Sequence, residues 1–136
     1  MAAHLGRAAT PEAGRELALT WRLDHVQIAI PEGGEALARG FWVALLGMEE
    51  LAKPEALAGR GGLWLRAGEA ELHLGVEAPF APAKKAHPCF AVPDLGRLAA
   101  ALEAAGRPVR PDDSIQGRRR IFTEDPFGNR VELMEG

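Results

Sequence analysis

The sequence predicts an α+β fold built from two βαβββ modules, with eight strands forming a curved mixed sheet around a cleft. Three observations carry this. HVQIAIPE, from His25, and HPCFAVPD, from His87, are nearly one phrase written twice, 62 residues apart. Each phrase is followed by an amphipathic helical stretch and then by further alternating segments. Each of the two strands also ends at a proline, Pro31 or Pro93.

The elements follow in order. In the first phrase Val26, Ile28 and Ile30 alternate with His25, Gln27 and Ala29, the period of a half-buried strand. EGGEALARGFWVALLGM then places Leu37, Phe41, Ala44 and Leu45 at helical spacing, with Gly47 as a C-terminal cap. Strands are expected around Glu49–Lys53, Gly62–Ala67 and Ala70–Glu77. In the last of these, Leu72, Leu74 and Val76 share one face, and Glu71, His73 and Gly75 the other. The second half repeats the order. His87–Val92 reads as a strand, Asp94 as a helix N-cap, and Leu95, Leu98, Ala99 and Leu102 as an apolar stripe ending at Gly106. Short strands are expected near Val109 and over Arg119–Glu124. DPFGN (Asp125–Asn129) is a turn, and Arg130–Glu135 closes the chain with Arg130, Glu132 and Met134 on one face. The boundaries read as an arm over 1–21, a first module over 22–78, a linker over 79–86 and a second module over 87–136. His4, in the arm, is given no role.

Composition narrows the function. The chain has 136 residues, is 47% hydrophobic and carries a formal net charge of −3, as in ordinary globular domains. A nucleic-acid protein would show a basic surface instead. No apolar run approaches the roughly 18 residues of a membrane span, and the start has no apolar core of signal-peptide type. With a single cysteine, Cys89, no internal disulfide can form, which fits a reducing, cytoplasmic setting. Cys89 itself is expected to be small and buried.

Four ligand-competent side chains recur at matching places. His25 and His87 lie on the first strand of each module, His73 and Glu132 on the last. All four point away from the Val/Ile/Leu face. Imidazoles and a carboxylate gathered from separate strands suit a divalent transition metal, with positions left for water or substrate. Arg120, Trp64, Arg66 and Phe122 are candidates to line a substrate pocket. For Trp64, packing beneath the helix is an equal alternative, and GRRRI (Gly117–Ile121) also reads as a charged edge strand.

LDHVQIAIPE, FWVALLGM, ELHLGVE, KKAHPCFAVPD and DPFGNRVEL together resemble the vicinal oxygen chelate superfamily, over about Leu23 to Glu135. That superfamily includes glyoxalase I, fosfomycin-resistance thiol transferases, extradiol dioxygenases, methylmalonyl-CoA epimerase and bleomycin-resistance proteins. The resemblance implies a divalent metal (Zn, Ni, Co, Mn or Fe) on His25, His87 and Glu132. The glutamate that completes the set in glyoxalase I falls on His73. It also implies Glu132 as a catalytic base, a small oxygen-chelating substrate, isomerase, lyase or thiol-transferase chemistry, and a homodimer. Two alternatives remain open. One is a metal-free drug-binding protein of the bleomycin-resistance kind. The other is a dioxygenase, which the absence of tyrosine places third.

Overall fold

A computed structural model of the chain describes residues 19–136. His4 and most of the expected arm lie outside these residues. The first half runs β1 (His25–Ile30), α1 (Glu35–Ala38), a π-helical continuation (Arg39–Leu45), β2 (Glu49–Leu51), a 3₁₀ segment (Glu55–Arg60), β3 (Leu63–Ala67) and β4 (Ala70–Val76). The second runs β5 (Cys89–Val92), α2 (Leu95–Ala104), β6 (Arg110–Asp112), β7 (Arg120–Glu124) and β8 (Arg130–Glu135). Both halves therefore read strand, helix, three strands. The strands form two sheets of four, ordered β1-β4-β3-β2 and β5-β8-β7-β6. The fold is α+β with mixed sheets, as expected, and its eight strands divide into two separately hydrogen-bonded sheets. In each, the outer strand before the helix runs parallel to the last strand, and the other pairs are antiparallel. A parallel pair needs a crossover, and the helix supplies it.

The second helix follows its sequence signals. The Asp94 side chain accepts a hydrogen bond from the Arg97 N–H at 3.1 Å, and Gly106 takes a positive φ of 76° just past the helix. The first helix departs from them. From Arg39 it widens to π geometry, with the Leu46 N–H donating to Phe41 O at 2.9 Å. This i→i+5 spacing shifts the phase of the inward face. Ala38, Phe41 and Trp42 are buried, whereas Leu37 and Ala44 are exposed.

The apolar faces of both sheets and both helices merge into one core. Trp42 is fully buried and sits edge-on to Phe90 of β5, joining the halves. Leu65, Leu72, Leu102 and Leu133 fill the space around them. Each such leucine contributes roughly 2 kcal/mol by leaving water. The DPFGN turn adds a polar clasp. Asn129 Nδ2 donates to Ala29 O of β1 at 2.8 Å and to Asp125 Oδ2 at 2.9 Å, and Asn129 Oδ1 accepts from the Ala83 N–H at 2.9 Å. The Arg130 N–H donates to Ala83 O at 2.9 Å, so the 79–86 segment is tied to the start of β8. With the apolar faces inward, the histidine-bearing faces of both sheets stay open to side-chain chemistry.

Candidate functional site

On the first sheet, register decides the neighbours. Trp64 of β3 lies opposite His73 of β4, and Glu71 lies opposite His25 of β1. Three rings stack as a result. Trp64 and His73 have centroids 3.9 Å apart and planes within 5°, and His73 and His25 follow at 4.2 Å and 12°. His73 is 5% exposed, and its Nε2 is 2.9 Å from Glu71 Oε1. His25 is exposed, with Nδ1 2.9 Å from Asp24 Oδ2. A carboxylate only accepts, so these two ring nitrogens act as the donors. That hydrogen bond from His25 holds the Asp24 carboxyl below its usual range. Trp64 is thus on the open face rather than under the helix, where Trp42 packs instead. Arg66, half exposed, reaches Glu71 at 3.8 Å.

The second sheet gathers the rest. His87 sits two residues before β5, where a strand residue was expected, and its ring reaches β8. His87 Nδ1 is 2.9 Å from Lys85 O, and Nε2 is 2.9 Å from Glu132 Oε1. Both partners are acceptors, so both hydrogen bonds exist together only when both ring nitrogens carry protons. Glu132 Oε2 accepts from Arg120 Nη1 at 2.9 Å. Arg120 continues through Nη2 to Ser114 Oγ at 3.2 Å and Asp112 Oδ1 at 3.4 Å. Burial pushes the Glu132 carboxyl up, but the Arg120 and His87 hydrogen bonds outweigh it, and the pKa ends below the usual glutamate value. Phe122 is 8% exposed, a pedestal rather than an open wall. The His87 ring meets it edge-on at 5.3 Å, and the Arg120 and Arg130 guanidinium carbons lie 5.2 and 4.1 Å from its centroid.

Cys89 corrects an expectation. It lies opposite Glu132 in register, and it is exposed rather than buried. β5 is the edge of its sheet, and Cys89 borders a cavity shared with Arg66, Gly68 and Glu69 of the first half. Its pKa is nonetheless raised, first by partial burial and then by the Glu132 charge.

The four predicted ligands therefore fall into two pairs, His25 with His73 and His87 with Glu132. Among the described residues no group of three or more His, Cys, Asp or Glu side chains could hold a metal ion. The donor types suit a divalent cation. Two donors about 2.1 Å from one ion and at right angles lie about 3 Å apart, which the 2.9 Å His87–Glu132 pair matches. Glu71 was not singled out from the sequence, although alternation already put it on the face of His73. Asp24 is adjacent to His25 and gave no periodic signal.

The glyoxalase/bleomycin resistance protein/dioxygenase superfamily model matches residues 22–133. The chain belongs to that superfamily. A Bacillus anthracis protein assigned to the glyoxalase family is 44% identical over 87% of this chain and 97% of its own, with a TM-score of 0.84. Lactoylglutathione lyase from Agrobacterium tumefaciens shares 21% identity over 85% and 93%, with a TM-score of 0.65. The fosfomycin resistance protein FosX from Listeria monocytogenes shares 15% over 87% and 93%, with a TM-score of 0.67. These last two are similar in fold alone. A search of curated proteins found no match. No helix among the described residues of this superfamily member is long and apolar enough to cross a membrane.

Proposed function

We propose that this superfamily member is a divalent-metal-dependent enzyme acting on a small oxygen-chelating substrate, with isomerase, lyase or thiol-transferase chemistry. The observation that carries the reading is the His87–Glu132 pair. A ring held between two oxygen acceptors must either carry two protons or bind a cation at Nε2, and Glu132 lies at the distance of a second ligand. His25 and His73 supply the remaining donors. Each chain holds them as a separate half, so the complete set is drawn from two chains of a homodimer. The metal would supply Lewis acidity for oxygens of the substrate. Glu132 is the one carboxylate of the set, and it takes and returns a proton at a carboxylate oxygen. Arg120 orients Glu132 through Oε2, while Trp64 and Arg66 border the first half-site. The lone Cys89 fits a cytoplasmic setting.

A second reading, a metal-free binder of drug-like molecules, is favoured by one feature. Glu132 and His73 already have hydrogen-bond partners without a cation. The dioxygenase reading stays third for want of a tyrosine. Elemental analysis of protein dialysed without chelator separates the first two. Near-stoichiometric metal that His87→Ala and Glu132→Gln both lose supports the metalloenzyme. No metal after adding Zn, Ni, Mn or Fe(II) sinks it.

A further inference from the structure

Beside the His87–Glu132 pair, a cavity of about 320 Å³ opens on the same face of the second sheet, bordered by Lys84, Arg110, Phe122, Glu124, Gly128 and Arg130 among others. We propose that it is an oxyanion subsite, which takes a phosphoryl or carboxylate end group of the substrate through Arg130 and Lys84. The proposal rests on the metalloenzyme reading for its place in catalysis, but not for its own binding.

The charges around Phe122 do not all pair among themselves. Arg120 is taken by Glu132 at 2.9 Å and Asp112 at 3.4 Å, and Arg110 by Glu124 at 3.2 Å. That uses all three carboxylates around the ring. Arg130 and Lys84 remain, and neither has a carboxylate within ion-pair distance among the described residues. Arg130 is partly buried and Lys84 is exposed. The Arg130 guanidinium carbon lies 4.1 Å from the Phe122 ring centroid, a cation–π placement. Lys84 is delivered by the clasp already described. Asn129 and Arg130 hold both the N–H and the C=O of Ala83, which leaves the next residue beside β8. Its ammonium lies over Gly128, 3.6 Å from where a Cβ would stand, and Gly128 has a φ of +94° that side chains disfavour. The ammonium thus stands in van der Waals contact with the turn that leads into β8.

Arg130 and Glu132 are alternate residues of one strand, and Phe122 lies opposite Glu132. An end group held by Arg130 would thus leave the rest of a small molecule over Glu132. Two cations beside the reacting carboxylate select substrates with an anionic end, and they screen that charge from Glu124 and Glu132.

The test is calorimetric titration of inorganic phosphate, and separately of succinate, into metal-free protein at low ionic strength and pH 7. Removing the metal keeps the ions from binding there instead. Saturable binding with a dissociation constant of about 1 mM or tighter is expected. Loss of one charge-assisted partner in Arg130→Gln or Lys84→Gln should weaken it about tenfold, and added salt should weaken it further. Arg97→Gln, at the start of α2, should leave it unchanged. The tighter of the two probes identifies the end group as phosphoryl or carboxylate. Absence of saturable binding of both probes, or equal binding by wild type and Lys84→Gln, overturns the proposal. Lys84→Gln decides the matter if Arg130→Gln fails to fold. Phosphate binding without metal binding would sink the metalloenzyme reading alone, and metal binding without phosphate binding would sink the subsite alone.

Discussion

Asn129→Ala tests the clasp between the halves. The side chain is 2% exposed and makes three hydrogen bonds, to Ala29 O at 2.8 Å and to Asp125 Oδ2 and the Ala83 N–H at 2.9 Å each. Each contributes about 1 kcal/mol net. Truncation also leaves Asp125, fully buried, with one donor fewer, while water can reach the less buried Ala83 N–H and recover part of its loss. These opposing corrections are of similar size, so the expected cost is about 3 kcal/mol. For a domain of this length that corresponds to a fall of roughly 10 °C in the thermal midpoint. The assay is urea unfolding followed by circular dichroism, with the thermal midpoint as a second readout. A change below about 1 kcal/mol would mean that the clasp is replaceable by water and that the core alone joins the halves.

Other consequences concern backbone and thiol. Gly62 has a φ of +83°, and a Cβ there would stand 2.1 Å from Leu74 O. Gly62→Ala should therefore cost more than about 2 kcal/mol or yield insoluble protein, whereas Gly40→Ala, with open space around it, should be near neutral; equal stability of the two in urea would refute this. Cys89 is exposed, yet its thiol pKa is raised by partial burial and by Glu132. Less thiolate is then present at any given pH, so iodoacetamide should alkylate it more slowly than a free thiol at pH 8. Glu132→Gln should speed alkylation by lowering that pKa. An unchanged rate would separate the thiol from the carboxylate.

Much of the fold was legible because each signal was local. Period-two alternation around His25 and His73, the prolines after each first strand, the Asp94 cap and the DPFGN turn all depend on a few neighbouring residues. The first helix was misphased for a physical reason. Its stripe was read at 3.6 residues per turn, and the π stretch from Arg39 moves Trp42 inward and leaves Leu37 outside. For the site, alternation placed His25, His73 and Glu132 away from the apolar face, as the structure has them; it left Trp64 open between the helix and the open face, and the structure puts it on the open face. Alternation carries no distance between one sheet and another. The separation of His25 and His73 from His87 and Glu132 was therefore invisible in the sequence. Cys89 was misread because its exposure depends on β5 being an edge strand, a property of sheet order. The place of Lys84 beside Arg130 depends on a turn hydrogen-bonding the preceding residue across 46 positions.

The central claim is that two half-sites, one from each of two chains, make one metal centre. A mixing experiment tests it most directly. One variant carries His25→Ala and His73→Ala, the other His87→Ala and Glu132→Gln. Neither alone should retain metal. After co-refolding, random pairing makes about half of the dimers mixed, and each mixed dimer holds one intact centre out of two. The account predicts that metal returns to about a quarter of the wild-type content. A mixture that stays metal-free while the wild type is loaded would contradict it, placing the donors within a single chain.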